Sequence, residues 1–378
     1  VGGMMIAIGE VTGRAEREEF IRLPGRLAAN DPNRVEDLWF ERRQFLDPGH
    51  NPYFAHAEVA LWLARREGRT VGRISTQMDR LAPVEEGRRI GHFGMLAAED
   101  PETVRALLTH AEGWIAGRGG RMARGPFSLS INQTTGVLVE GFGTPPSVMM
   151  AHDPDWLGAA IEACGYDGAR DLVAYRLDVR AGLPDRPRRH ATRLDGEGVV
   201  VRSLDMRRYR DEIATITTIF NDGWAGNWGF VPLTEAEIEA MARDLKPILD
   251  PELVKIAEVN GAPAAFIVLL PNINEAIADL GGRLLPFGWL KLLWRLKVRG
   301  LRSARVPLMG VRREISGSLL GKTLPLKLIY ALEDRALARG IEELELSWLL
   351  AENWPVRRVV ESIGGKLVKT YRVYERLL

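Results

Sequence analysis

An ordered internal repeat constrains this chain more than any other feature of its sequence. In the first half, residues 58–64 and 70–78 read as two β segments about the turn Glu67-Gly68-Arg69, and 92–96 as a short apolar strand. Residues 101–117 carry apolar side chains at helical spacing (Val104, Leu107, Leu108, Ala111, Trp114, Ile115) and stop at Gly119-Gly120. A strand over 126–131, a long loop, a helix over 156–163 and a strand over 172–177 follow. After an apolar helix over 213–220, the second half repeats the order. Segments 253–259 and 264–270 flank Asn260-Gly261, then come a strand over 306–311, a helix over 326–338 and a strand over 344–350. A helix over 355–363 closed by Gly364-Gly365 and a last strand over 369–375 complete it. Between hairpin turn and helix end the second half holds about 28 more residues than the first. This order predicts an α/β chain with α+β mixed sheets in two tandem halves, 30–180 and 199–378. The Pro-, Arg-, Asp- and Gly-rich stretch 180–198 is the expected joint.

Composition excludes several functions. The 51 basic and 50 acidic side chains leave a net charge of +1, which argues against a nucleic-acid partner. Cys164 is the one cysteine, so no disulfide and no cysteine-rich metal site is expected. Cys164 lies on an apolar helical face and reads as a small core side chain rather than a nucleophile. HExxH, GxSxG and complete Walker patterns are absent, so metal and serine-hydrolase chemistry are not expected. The first ten residues lack a signal-peptide pattern and no run is long and apolar enough to span a membrane, which predicts a cytoplasmic protein.

The second half resembles the GNAT acyltransferase plan at specific residues. Residues 306–311 (VPLMGV) look like that superfamily's central strand, and 312–322 (RREISGSLLGK) stand where its Q/R-x-x-G-x-G/A pyrophosphate loop lies. Backbone N–H groups at a helix start bind phosphate oxygens, and glycine lets the backbone approach. Here Gly317 and Gly321 are four apart, not two. The resemblance implies that Arg312, Arg313, Ser316, Gly317, Ser318, Gly321 and Lys322 hold acyl-CoA as co-substrate. It also implies that the N–H groups near Gly310 and Val311 face the thioester oxygen, and that Asn353 opens the last helix. The position that often carries a tyrosine proton donor falls on Val360. Over residues 30–378 the chain is similar to bacterial tandem GNAT proteins, through Asn132-Gln133-Thr134-Thr135-Gly136, the 141–146 loop GFGTPP, the 227–234 stretch NWGFVPLT and Leu346-Ser347-Trp348. One branch of that family consists of ceramide synthases, which join a fatty acyl-CoA to a long-chain amine.

The insertion at 283–300 reads RLLPFGWLKLLWRLKVRG. Lys291, Arg295 and Arg299 recur every four residues, with bulky aromatic and leucine side chains such as Trp289 and Leu293 opposite them, the pattern of a helix lying in a membrane interface. A buried cover over the sheet with snorkelling basic stems is the alternative. The interfacial pattern implies a lipid-like amine acceptor and peripheral contact with the inner membrane.

For the base, Glu275 follows the second hairpin beside Asn274, and His152 follows the GFGTPP loop; a solvated carboxylate and a turn-capping histidine are the bland alternatives. Asp222, Trp224, Asn227 and Trp228 form an aromatic and polar cluster suited to line an acceptor pocket or simply to pack. Two other functions stay open at this stage: acetyl or aminoacyl transfer to a soluble amine or peptidoglycan precursor, and a non-catalytic module binding CoA or lipid.

Overall fold

The computed structural model describes residues 5–193, 198–246 and 249–378. The chain opens with β1 (Ile6–Glu10), α1 (Arg14–Leu27) and α2 (Trp39–Phe45), three elements ahead of the first segment read from the repeat. Next come β2 (Ala57–Arg66), β3 (Arg69–Asp79), β4 (Ile90–Ala98), α3 (Pro101–Gly117), β5 (Met122–Gly125), β6 (Val137–Glu140), α4 (Leu157–Glu162) and β7 (Asp167–Asp178). Then follow α5 (Asp185–Arg193), β8 (Val199–Ser203), α6 (Tyr209–Trp224), α7 (Glu235–Leu245), β9 (Val254–Val259) and β10 (Ala262–Pro271). The rest is α8 (Asn274–Ile277), α9 (Gly288–Trp294), β11 (Ser303–Val311), α10 (Arg313–Ser316), α11 (Leu319–Ala338), β12 (Glu343–Leu350), α12 (Trp354–Ser362) and β13 (Lys366–Leu377). The order of elements therefore repeats, and each run mixes antiparallel and parallel strand pairing.

Backbone contacts divide the chain into two compact units. The first holds 1–172 with 277–290 and 369–378, and the second 173–276 with 291–368. The joint expected at 180–198 carries α5, and its residues 194–197 lie outside the described residues.

In the first unit β1–β2–β3–β4 form an antiparallel run, β5 joins β4 in parallel, and the end of β13 pairs with β5 and β6. Helix α3 starts at an Asp100 cap, whose side chain takes the Thr103 N–H at 2.8 Å, and buries Val104, Leu107, Leu108, Ala111 and Ile115 on the sheet. Tyr374 of β13 closes the same core, with its hydroxyl donating to Glu162 at 3.1 Å.

The second unit runs β8–β9–β10–β11 antiparallel and then β12 parallel to β11. Its hairpin turns through Asn260 and Gly261, both with positive φ, as Glu67 and Gly68 do in the first unit. Helix α11 packs on one face over Ala304, Val306, Leu344 and Leu346, and α6 on the other over Ile256 and Phe266. The sequence reading places this helix over 326–338, just past Pro325. The helix in fact starts at 319, since Ser318 takes the Gly321 N–H at 3.0 Å and outweighs the proline.

Candidate active site

Two features of β11 create an opening in the second unit. Its register against β10 shifts by one residue, Val268 facing Leu308 while Leu270 faces Arg305, so an extra residue bulges at Val306-Pro307. Proline has no N–H to give a ladder and is found at such bulges. Against β12, pairing covers only Ser303–Val306 with Glu343–Leu346. Beyond the Val306–Leu346 pair the two parallel strands part into a fork.

Strand alternation shows which backbone groups face that fork. The Arg312 N–H donates to Ala264 O across β10 at 2.9 Å, so Gly310, two residues back, also turns its N–H toward β10. The N–H groups of Met309 and Val311 point the other way, into the fork. Of the pair suggested by sequence, Val311 turns its N–H to the opening and Gly310 does not; Met309 has a second fork-facing N–H, which sequence reading did not single out.

The fork leads to the N-terminus of α11, a 20-residue helix whose first N–H groups have no intrahelical acceptor. Arg312 and Arg313 sit at the turn, where Asp222 takes the Arg313 N–H at 2.8 Å and fixes the loop. The Arg312 Nε is buried with no hydrogen-bond partner among the described residues. Ser316, Gly317, Ser318 and Lys322 are exposed. A Cβ on Gly317 would meet nothing within 4 Å, whereas one on Gly321 would overlap the Ile315 carbonyl oxygen. Gly321 is thus needed for the turn itself, and Gly317 faces open space. These groups fit a pyrophosphate: a helix start, an unpartnered guanidinium nitrogen and an accessible loop backbone. Asn353 caps α12 by accepting the Val356 N–H at 3.4 Å. Val360 is packed in the core, so no phenol stands at that position.

On the α6 side the fork has aromatic walls. The Trp224 indole donates to Met309 O at 3.1 Å, its ring meets Trp348 edge-on at 5.9 Å, and Phe220 lies 5.1 Å from it. Asn227 is exposed one turn beyond, its N–H donating to Trp224 O, and Trp228 is half-buried. Asp222 and Trp224 thus gather at the fork.

Glu275 and Asn274 do not. They lie in α8 at the start of β11, roughly 26 Å along the strand from Val311. The Glu275 carboxylate accepts the N–H groups of Arg302 at 3.0 Å and Ser303 at 2.7 Å, as well as the Ser303 hydroxyl. This anchors the strand's first residue, which is the physical reason for an acid there. His152 belongs to the first unit, where its Nε2 lies 2.8 Å from Asp31 Oδ2.

The first unit has the same strand divergence but closes it. Pairing of β4 with β5 ends at His92 and Arg124. Residues 126–131, expected as a strand, leave the sheet and fill the gap: Phe127 N–H donates to Phe93 O at 2.8 Å, and Gln77 Nε2 donates to Phe127 O and Leu129 O. Gly94 is required where Phe127 O comes closest, because any Cβ would overlap it. The start of α3 is already occupied by carboxylates, with Arg66 bound to Asp100 at 2.7 Å and Glu102 at 3.1 Å. The Arg66 hydrogen bond holds the Asp100 carboxyl down to about 2.

Comparison with known proteins gives these features a family. No family profile matches the chain. A protein of Caulobacter vibrioides (strain NA1000 / CB15N) named bacterial ceramide synthase is 50% identical over 366 residues, covering 96% of this chain and 95% of the relative. The chain belongs to the bacterial ceramide synthase family. A second relative of this family member, protein YghO of Escherichia coli (strain K12), is 44% identical over 94% of this chain and 92% of its own. Among solved structures, a tandem GNAT protein from the clavulanic acid biosynthesis pathway aligns over 99% of this chain and 98% of its own, with a TM-score of 0.54 at 14% identity. The GNAT region of a fungal GH3 β-N-acetylglucosaminidase aligns over all of this chain and 38% of its own, with a TM-score of 0.59 at 13% identity. The chain is an acyltransferase with a GNAT fold, as the resemblance of its sequence to that superfamily implies.

Proposed function

We propose that the protein uses acyl-CoA to acylate the amine of a sphingoid-type lipid, with the co-substrate in the second unit. The observation that carries this reading is the β11–β12 fork opening onto the start of α11, in a chain whose relative is named for ceramide synthesis. Acyl-CoA lies along β11, its pyrophosphate at the α11 N-terminus near Arg312 and its thioester carbonyl within reach of the fork-facing N–H groups. The amine nitrogen attacks the carbonyl carbon, the C–S bond breaks, CoA leaves as thiolate and an amide remains. The chain supplies orientation and a donor for the developing oxyanion.

The insertion supports the lipid part. No side chain over 283–300 is buried; Leu285 is 79% exposed, Phe287 72% and Val298 71%, with Trp289, Leu290, Leu293 and Trp294 also exposed. Arg295 is tied to Ala276 O at 2.7 Å, while Lys297 and Arg299 are exposed in the same π-helical turn. A buried cover does not leave its aromatic side in water, whereas a helix resting on an anionic lipid surface does. Among the described residues no helix is long and apolar enough to cross a membrane.

The test incubates purified protein with palmitoyl-CoA and a sphingoid amine, and separately with acetyl-CoA and a soluble amine, following free thiol and amide product. Amide from the first pair at a far higher kcat/KM supports the reading. Equal or better turnover of the second pair would overturn it. Deleting 284–298 and bridging with Gly-Ser is expected to reduce long-chain activity selectively.

A further inference from the structure

At the crotch of the fork the two faces of the sheet differ in chemistry. Ala304 and Val306 of β11 and Leu344 and Leu346 of β12 face the apolar core under α11. Alternation turns Arg305, Glu345 and Ser347 to the opposite face, that of α6. There they are buried: Arg305 is 3% exposed, Glu345 8% and Ser347 3%. Arg305 Nε donates to Ser347 Oγ at 2.9 Å and Arg305 Nη2 to Ser347 O at 3.2 Å, while Ser347 Oγ donates to Glu345 Oε1 at 2.6 Å. Arg305 and Glu345 are register partners, and Ser347 is the first β12 residue past the last pair. A connected guanidinium–hydroxyl–carboxylate chain therefore crosses the point where the strands part.

Stability alone does not account for this chain. Desolvating two charges costs several kcal/mol per ion, and well-packed aliphatic side chains of similar volume serve a fold as well or better. The other face of the same residue pairs is built of leucine, valine and alanine. The polar set also adjoins the aromatic wall, since Trp348 follows Ser347 and packs on Trp224, whose indole reaches Met309 O beside the fork-facing N–H groups.

We propose that Ser347 Oγ receives the proton of the acceptor amine, with Glu345 taking the serine's proton and Arg305 holding both in place; this rests on the acyl-transfer reading above. An incoming ammonium gives one proton to Ser347 Oγ as the serine's own proton passes to Glu345 Oε1, which leaves a neutral amine. Its lone pair forms the C–N bond at the thioester carbonyl, the C–S bond breaks, and the remaining surplus N–H proton goes to the departing CoA thiolate. Glu345 returns its proton to water after the amide leaves. Arg305 keeps the site's net charge near zero, so the amine is not trapped as an ammonium opposite an unbalanced carboxylate. In these terms Ser347 is catalytic, and Glu345 and Arg305 are positioning residues acting through it.

The experiment compares wild type with Ser347→Ala, Ser347→Thr, Glu345→Gln and the Ala/Gln double variant, using palmitoyl-CoA and a sphingoid amine. Calorimetry with CoA alone serves as the binding control. Ser347→Ala and Glu345→Gln are each expected to lose roughly 100-fold in kcat, as for one general-base group, with KM for acyl-CoA within about twofold. Ser347→Thr, which keeps the hydroxyl, is expected to recover most of that loss. The double variant should be no worse than either single one, because both interrupt the same relay. Wild-type kcat in Ser347→Ala, or multiplicative losses in the double variant, would overturn the proposal. So would loss of CoA affinity together with activity, since the chain would then only hold the fork open. The two readings fail separately. Amide formed equally by wild type and Ser347→Ala sinks the relay alone. A wild type that acylates only a different amine, yet loses that activity in Ser347→Ala, sinks the lipid assignment and keeps the relay.

Discussion

Replacing Gly317 by Glu tests the co-substrate site with little disturbance of the fold. The residue has φ −76° and a Cβ there would meet nothing within 4 Å, so the side chain enters without clash or backbone strain. A carboxylate beside the first turn of α11 even favours the helix by about 0.3–1 kcal/mol. Against a bound pyrophosphate the sign reverses. At a separation of ~6 Å and an effective dielectric constant of ~40, each like charge costs about 1.4 kcal/mol. Two phosphate charges then cost about 3 kcal/mol, or roughly 100-fold in affinity. Titration calorimetry with CoA is expected to show that loss at low salt and a smaller one at 0.5 M salt, where the Debye length is about 4 Å. Gly317→Ala should bind nearly as wild type, and the melting temperature of Gly317→Glu should not fall. Gly321→Ala provides the contrast, because its methyl overlaps the Ile315 carbonyl and should lower the melting temperature. A folded Gly317→Glu protein with unchanged CoA affinity, at any salt, would refute the placement of pyrophosphate at α11.

Three further outcomes follow from other parts of the chain. Changing Lys291, Lys297 and Arg299 together to Glu, with Arg295 kept because it holds Ala276 O, should weaken binding to anionic vesicles most strongly at low salt; equal binding in a co-sedimentation assay would count against the lipid surface. His92 is buried beside Arg124, and burial first and that cation second depress its imidazole to about 3. The unfolded chain takes up this proton below about pH 6.5 while the folded one stays neutral, so stability falls as pH drops from 6.5 toward 3, by ~2 kcal/mol at pH 5. His92→Gln should flatten that part of the urea-denaturation profile, and an unaltered slope between pH 6.5 and 5 would show the imidazole titrates normally. Gly94→Ala, which drives a methyl into Phe127 O, is expected to destabilise the first unit by more than ~2 kcal/mol in chemical denaturation while leaving the CoA affinity of the refolded protein unchanged.

Much of this architecture was legible because it is written in local patterns. The helix over 101–117 shows its apolar stripe and its glycine stop within one stretch of sequence, and the observed element has those bounds. The hairpins announce themselves through Glu67-Gly68 and Asn260-Gly261, and the central strand through an apolar run ending at a glycine-bearing loop. Asp222 and Trp224 were legible as site candidates because aromatic and polar residues cluster after an amphipathic helix.

What the sequence determines alone is therefore the two-fold order of elements and the acyltransferase family. Each of these depends on residues close together in the chain. Tertiary structure decided the rest, because it depends on which strands meet and where they part. The 126–131 segment has strand-like composition, and only its hydrogen bonds to Phe93 and Gln77 show that it seals the first unit's gap. Glu275 follows the hairpin as a groove residue should, yet two backbone N–H groups 27 and 28 positions later hold it at the far end of β11. Arg305 lies 42 residues before Ser347, and with Glu345 they look like ordinary polar positions in alternating strands; the parallel register of β11 and β12 makes them one chain of hydrogen bonds.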